Sequence, residues 1–186
     1  MPESQTKYAE LPETRFSVAV TRFFDRMTSA LSWIWLALLL VIVANVAMRY
    51  IFSQGRVELE ELQWHLYALG FLLALSACLS ANQHVRVDIL HEKLSLRHQA
   101  WVELYGLLLL FFPFVFMVFW YSIPFVAYSF SFAEVSDAPG GLPYRWAIKA
   151  ALPAAMILLL LAGAGRLSRV WTCLFLSSAE KSNRAT

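Results

Sequence analysis

Charged residues are scarce in this chain. Of its 186 residues, 15% are Asp, Glu, Lys or Arg, whereas an ordinary soluble domain carries about 25%. Hydrophobic residues make up 59%, which is more than a soluble core of this size could hide from water. The net charge of +2 is too small to indicate a nucleic-acid partner. The composition therefore excludes an ordinary soluble domain and predicts a protein that crosses a membrane several times.

Cysteine is also scarce, and a cleavable signal is not evident. The two cysteines, Cys78 and Cys173, form no disulfide framework, so nothing in the chain requires an oxidising compartment. The first 26 residues contain no apolar segment of the kind found in a secretory signal. We therefore expect the first apolar segment to remain in the protein as a membrane span.

Acidic residues are missing from the centre of every apolar segment. Asn45 and His65 are the polar exceptions, and each lies near one end of its segment. A carrier that couples transport to an ion usually has acids, histidines or lysines in the middle of its spans. The chain is therefore not expected to be the ion-coupled machinery by itself, and no catalytic, metal-binding or substrate-binding residue is predicted in it.

Four apolar segments are present. From Leu62 to Gln83 there are 22 residues without a formal charge, about 33 Å as a helix, which is enough to cross a bilayer core of roughly 30 Å. The sequence predicts an all-α integral membrane protein with a membrane domain at 27–167. Its spans are expected at about 27–50, 61–83, 101–132 and 146–166.

The third and fourth spans each have an unusual feature. Leu104–Ala133 is 30 residues without charge, so this span is expected to tilt, kink or project, with Pro113 and Pro124 as kink points. The fourth must include Lys149, which is expected to extend outward towards water.

The segments outside the spans indicate interfacial helices. Residues 1–26 read either as a cytoplasmic segment with a helix at the membrane surface or as a polar tail with only its last turns helical. Arg86–Arg97 favours an amphipathic interfacial helix. The alternation over Val85–Ile89 also resembles a strand, which we reject because it has no pairing partner. Residues 168–186 are predicted to be a cytoplasmic tail, frayed from Arg166 onward.

The distribution of basic residues predicts the orientation. There are 11 Lys and Arg on the side of the two termini and the second connection, against 4 on the opposite side. The positive-inside rule therefore places both termini and His84–Asp88 in the cytoplasm. Glu60, Glu61 and the Gly140-Gly141 connection then face outward.

Two groups of polar residues could form sites. Arg49 and Glu61 lie at the facing ends of the first two spans, either as an ion-paired clamp or as two separately solvated anchors. His84, Asp88 and His91 have a spacing that could place metal ligands on one helical face, but no Cys or Glu completes the set. The alternative, which we favour, is a membrane-exit segment whose charges pair locally or with a partner.

Several motifs together resemble one family. In a four-span chain of this length they are similar to the small membrane subunit of TRAP (tripartite ATP-independent periplasmic) transporters, the DctQ-like family. Ser80–Gln83 departs from the family's usual lead into its cytoplasmic motif. The resembling segments are Asn45 with Arg49-Tyr50, Glu61–Trp64, His84–Asp88, Pro139–Pro143 with Trp146, and Pro153.

The resemblance implies a role in transport rather than catalysis. Such systems are secondary transporters of bacterial inner membranes that import organic anions. They combine a periplasmic solute-binding protein, a small subunit and a large elevator-type subunit that holds the substrate and the coupling ion, sodium. The small subunit is a scaffold that contacts its partners and membrane lipid. The candidate structural or partner-contact residues are Asn45, Arg49, Glu61, Trp64, His84, Arg86, Asp88, Gly140, Gly141 and Trp146.

Two other classes remain as alternatives. A membrane anchor of an oxidoreductase that binds haem or quinone would need paired histidines within the spans, and His65 has no counterpart at matching depth. A small four-helix multidrug exporter would need an acid in the middle of the first span, where the chain has only Asn45.

Overall fold

The computed structural model describes residues 12–81 and 95–176. This part of the chain is helical and contains no strand. Four helical stretches are long and apolar enough to cross a membrane: Arg15–Tyr50, Val57–Ser80, Arg97–Ser131 and Arg145–Leu176. The predicted all-α class with four spans is confirmed. The helices are α1 (Arg15–Tyr50), α2 (Val57–Ser80), α3 (Leu96–Tyr105), α4 (Phe112–Ser131) and α5 (Arg145–Trp171), with π-helical turns at Gly106–Phe111 and Thr172–Leu176.

Helix α5 lies at the centre of the bundle and packs against every other helix of the described chain. Small residues along it allow this close packing. A Cβ atom at Gly163 would lie 2.5 Å from the Phe111 ring, and one at Gly165 would lie 3.1 Å from Val20. Small residues favour helix association in membranes because they let backbones approach closely. The main core cluster consists of Val20, Phe24, Leu79, Val115, Ala155, Met156, Leu159 and Ala162.

Helix α1 is a single helix of 36 residues. Thr14 caps it: the Thr14 hydroxyl accepts a hydrogen bond from the Ser17 backbone N–H, and the Ser17 hydroxyl side chain binds back to the Thr14 backbone N–H. Val20 and Phe24 are buried against the bundle. Of the two readings of the segment before span one, a separate surface helix is wrong for residues 12–26, whereas the last turns before the span are helical as the other reading expected. This helix starts at Arg15 and is continuous with the span, because its apolar face packs on α5.

The third span contains a wider turn just before Pro113. In this turn, Gly106–Phe111, the Phe112 N–H donates to the Leu107 carbonyl five residues earlier. Proline has no N–H and its ring clashes with the carbonyl four residues before it in a regular α-helix. A π-helical turn relieves this conflict without ending the helix. Pro124 lies inside α4.

The chain does not fray at Arg166. Helix α5 continues to Trp171 and is followed by the turn Thr172–Leu176. A second core cluster joins this end of α5 to α3 and comprises Ala100, Leu104, Val170 and Leu174. The expectation of a frayed tail is therefore wrong for residues 166–176, because α3 gives their apolar side chains a surface to pack on.

The bundle has two ends. The hairpin end carries the α1–α2 connection (51–56) and the α4–α5 connection (132–144). The termini end carries Thr14, Ala81, Ser95 and Leu176. The predicted interfacial helix at Arg86–Arg97 lies largely outside the described residues. The candidate residues His84, Arg86, Asp88 and His91 and the rejected strand lie wholly outside them.

Candidate functional site: polar clusters at the two ends of the bundle

Glu61 fastens the α4–α5 connection to the start of α2. Its two carboxylate oxygens accept separate hydrogen bonds, one from the Ser136 hydroxyl and one from the Leu142 backbone N–H at 2.6 Å. Charged acceptors give stronger hydrogen bonds than neutral ones. One side chain therefore ties together two parts of the chain that are about 80 residues apart in sequence.

Gly140 and Gly141 shape the connection that Glu61 holds. Gly140 has φ +79°, a conformation that favours glycine because other residues carry a Cβ atom. A Cβ atom at Gly141 would lie 2.5 Å from Ser136 Oγ and 3.0 Å from Glu61 Oε1. Three of the candidate residues named from the sequence, Glu61, Gly140 and Gly141, thus lie together in the structure.

Arg49 pairs with Glu60 and not with Glu61. The predicted Arg49–Glu61 clamp is therefore wrong, and the reason is geometric. Neighbouring residues on a helix point about 100° apart, so only one of the two acids can face the end of α1. Glu61 points to the α4–α5 connection instead. The Arg49 and Glu60 side chains are 53% and 43% exposed, and ion pairs this exposed contribute little to stability.

Lys149 is held inside the hairpin end by two contacts. It forms an ion pair with Glu134, and its ammonium group lies 4.3 Å from the centroid of the Phe125 ring. Lys149 thus extends towards the connection, as expected, but its side chain is only 17% exposed and ends on a carboxylate rather than in water. The hydrogen bond from Lys149 also lowers the pKa of Glu134 from its usual value.

The termini end contains a buried ion pair that the sequence reasoning missed. Arg166 binds Glu103 through two N–H groups, with Nη2 at 3.1 Å from Oε2, and the side chains are 6% and 12% exposed. At the same end of the bundle, the Thr14 and Ser168 hydroxyl groups are 2.9 Å apart. The signal was available, because opposite charges flanked two predicted spans whose ends meet at the same side.

Comparison with known protein families identifies the chain. Residues 38–173 match the family described as tripartite ATP-independent periplasmic transporters, DctQ component. This match covers about three quarters of the chain and includes the α1–α2 and α4–α5 connections. The chain belongs to the DctQ family. The predicted resemblance is confirmed, and no curated protein matches the sequence closely.

The remaining candidates of this DctQ chain lie apart from the Glu61 cluster. Asn45 is buried, and its Oδ1 atom has no hydrogen-bond partner within the described parts of the chain. Trp64 is 72% exposed on α2. Trp146 packs edge-on against Phe130, with ring centroids 5.4 Å apart. The structure thus gathers only some candidate residues, and their predicted role as partner contacts stays a prediction.

A metal centre finds no support in the described part of this DctQ chain. Across residues 12–81 and 95–176, no three His, Cys, Asp or Glu side chains lie close enough together to hold a metal ion. Family membership identifies a transporter component with several membrane spans. No family match supports either alternative class, the haem or quinone anchor or the multidrug exporter.

Proposed function

We propose that this DctQ chain is the static scaffold subunit of a tripartite secondary transporter that imports organic anions. Its partners would be a large elevator-type membrane subunit and a periplasmic solute-binding protein. The large subunit would hold the substrate and the coupling ion, sodium. This chain would not be an enzyme.

The single observation that supports a scaffold is where the ionisable groups lie. Residues 27–48, 66–80, 104–131 and 150–165 contain no Asp, Glu, Lys, Arg or His. Glu103, whose side chain is 12% exposed, is already bound by Arg166 near the termini end. A coupling ion needs an available acid or an interrupted helix in mid-membrane. The centre of this bundle offers no such acid.

The outer surface of the bundle fits the role of a static surface along which a moving domain of the large subunit could slide. Outside its buried face of Val115, Ser122 and Ser129, α4 exposes large aromatic and apolar side chains, and α1 adds further apolar residues. Such a surface can pack along a second membrane subunit or against lipid. The most exposed examples are Trp33, Leu40, Phe114, Trp120, Tyr121, Tyr128 and Phe130.

The orientation follows from charge. We infer that both termini lie in the cytoplasm of a bacterium and that the hairpin end faces the periplasm, because basic residues concentrate at the termini end. The protein would then be a multi-pass component of the inner membrane. The solute-binding protein would approach the side on which Glu61 fastens the α4–α5 connection.

Reconstitution tests the scaffold proposal. Proteoliposomes would contain this chain alone, the large subunit alone, or both, each with the solute-binding protein, labelled organic anion and a sodium gradient. We expect uptake only with both subunits, because this chain has no mid-membrane group to couple an ion. Vesicles without a sodium gradient are the control. Robust uptake by this chain alone would contradict the proposal.

A further inference from the structure

Helix α1 carries a stripe of arginines before its apolar part. Arg15, Arg22 and Arg26 are separated by seven and four residues, which places them within about 40° of one another around the helix. All three are exposed. Within residues 12–81 and 95–176, none of them forms an ion pair.

The opposite face of α1 is already occupied. Ser17, Val20 and Phe24 are buried, and Val20 packs against the position of Gly165 on α5. At 100° per residue, the arginine stripe points directly away from this buried face. The arginines are therefore fixed in direction by the packing of α1, and they face outward from the bundle.

The same face of α1 becomes apolar further along the chain. Trp33 is 72% exposed and Leu40 is 60% exposed, and both lie in line with the arginines. Tryptophan is enriched where a membrane meets water. The arginine stripe thus continues into a face that has the composition of a lipid-facing surface.

Helix length places the arginines relative to the hydrocarbon core. Counting back from Arg49, a core of about 30 Å takes roughly 20 residues and reaches Ser29. Arg26 then lies about 5 Å beyond the core, Arg22 about 10 Å and Arg15 about 21 Å. Headgroup layers are only several ångströms thick on each side. Arg22 and Arg26 are within reach of them, whereas Arg15 is too far away.

We propose that Arg22 and Arg26 bind the phosphate of an anionic phospholipid in the leaflet at the termini end. Residues four apart on a helix have Cβ atoms about 5–6 Å apart, so both guanidinium groups can converge on one phosphate. Guanidinium matches phosphate geometry through paired hydrogen bonds. Phe23, 47% exposed beside the stripe, supplies an apolar group near the acyl boundary.

Charge favours this occupant over a neutral headgroup. Asp25 is exposed next to the pair, so the local charge of Arg22, Asp25 and Arg26 is +1. Anionic leaflets attract basic residues near the membrane surface, and the attraction weakens with salt. The proposal concerns lipid contact and does not depend on which substrate the transporter carries.

Lipid retention tests the proposal on the full-length chain. The protein is purified in mixed micelles that contain equal amounts of phosphatidylglycerol and phosphatidylcholine, and retained lipid is counted by native mass spectrometry. We expect wild type to retain phosphatidylglycerol preferentially. Arg22→Gln and Arg26→Gln should each reduce this preference about fivefold, since each basic residue near an anionic surface has an effect of that order. Arg22→Lys should keep only part of it, because lysine retains the charge but not the paired hydrogen bonds of a guanidinium group.

Arg15→Gln is the matched control, because it removes the same charge from the same stripe outside headgroup reach. It should change the preference by less than about twofold. Helical content by circular dichroism identifies any variant that fails to fold. Equal losses in Arg15→Gln and Arg22→Gln would overturn the proposal, because net charge would then explain them. Displacement of the retained lipid by the large subunit would also overturn it in favour of a protein contact.

Discussion

At the termini end, a buried arginine and a largely buried glutamate join two helices. At the hairpin end, Glu61 holds the α4–α5 connection through a hydroxyl group and a backbone amide, and the Arg49–Glu60 pair is half exposed. The Arg166–Glu103 side chains are 6% and 12% exposed. Those of Arg49 and Glu60 are 53% and 43% exposed. Solvent screens the second pair and not the first. The same chemical pairing therefore has different consequences at the two ends.

The two ends differ in the consequence of removing one residue of an ion pair. At the termini end, removal of Glu103 leaves the buried Arg166 guanidinium without its ion-pair partner, which is costly. At the Arg49–Glu60 pair of the hairpin end, water replaces the lost partner, because both side chains are half exposed. We infer that the termini end fixes the relative positions of α3 and α5, while the hairpin end fixes the path of the α4–α5 connection.

Loss of the buried pair should produce the largest effect. Glu103→Ala should lower the free energy of unfolding by about 3–5 kcal/mol, because Arg166 would stay buried and unpaired. The measurement is denaturant unfolding in mixed micelles, followed by circular dichroism. The double variant Glu103→Leu with Arg166→Met should recover most of the loss.

The control for this pair lies at the same end. Arg169 and Glu13 are 4.0 Å apart, and Glu13 is 71% exposed. Glu13→Ala should therefore cost less than about 1 kcal/mol. If Glu103→Ala and Glu13→Ala have equal costs, burial does not decide what the loss of an ion-pair partner costs.

A methyl group at Gly141 should have an intermediate effect. The new Cβ atom would overlap Ser136 and approach Glu61 Oε1, so Gly141→Ala should destabilise the protein by about 1–3 kcal/mol. Hydrogen exchange at residues 134–142 should rise, because the hydrogen bonds to Glu61 would be displaced.

Gly55→Ala is the matched control for Gly141→Ala. Gly55 lies in the other connection of the hairpin end, and a Cβ atom there would meet nothing within 4 Å. This substitution should leave stability and hydrogen exchange unchanged within error. Similar exchange in the two variants would mean that the Gly141 contact does not hold the connection.

The fold could be predicted from sequence because it depends on local composition. Long uncharged segments and their flanking charges specify four helices before any contact is known. The ion pairs between side chains could not be predicted from the sequence with the same success. Glu60 and Glu61 are neighbours, and their direction depends on the rotation of α2, which packing on α1 and α5 decides.

The Glu103–Arg166 ion pair was not predicted for a related reason. Glu103 and Arg166 are 63 residues apart, and each was read as the polar boundary of a span. Their pairing depends on how far α3 and α5 extend beyond the uncharged segments. The apolar residues Val170 and Leu174 continue the helical pattern past Arg166, which was the local signal that α5 is longer.

The smallest expected effect concerns Arg49. A double-mutant cycle that combines Arg49→Gln with Glu60→Gln should give a coupling energy below about 1 kcal/mol, because both side chains are half exposed. The same cycle with Glu61→Gln should give no coupling to Arg49, since Glu61 binds Ser136 and Leu142. Glu61→Gln alone should still be the more damaging of the two glutamate substitutions, because it weakens two hydrogen bonds to the α4–α5 connection. The measurement is the free energy of unfolding of each single and double variant. A larger coupling of Arg49 to Glu61 than to Glu60 would contradict the pairing in the structure.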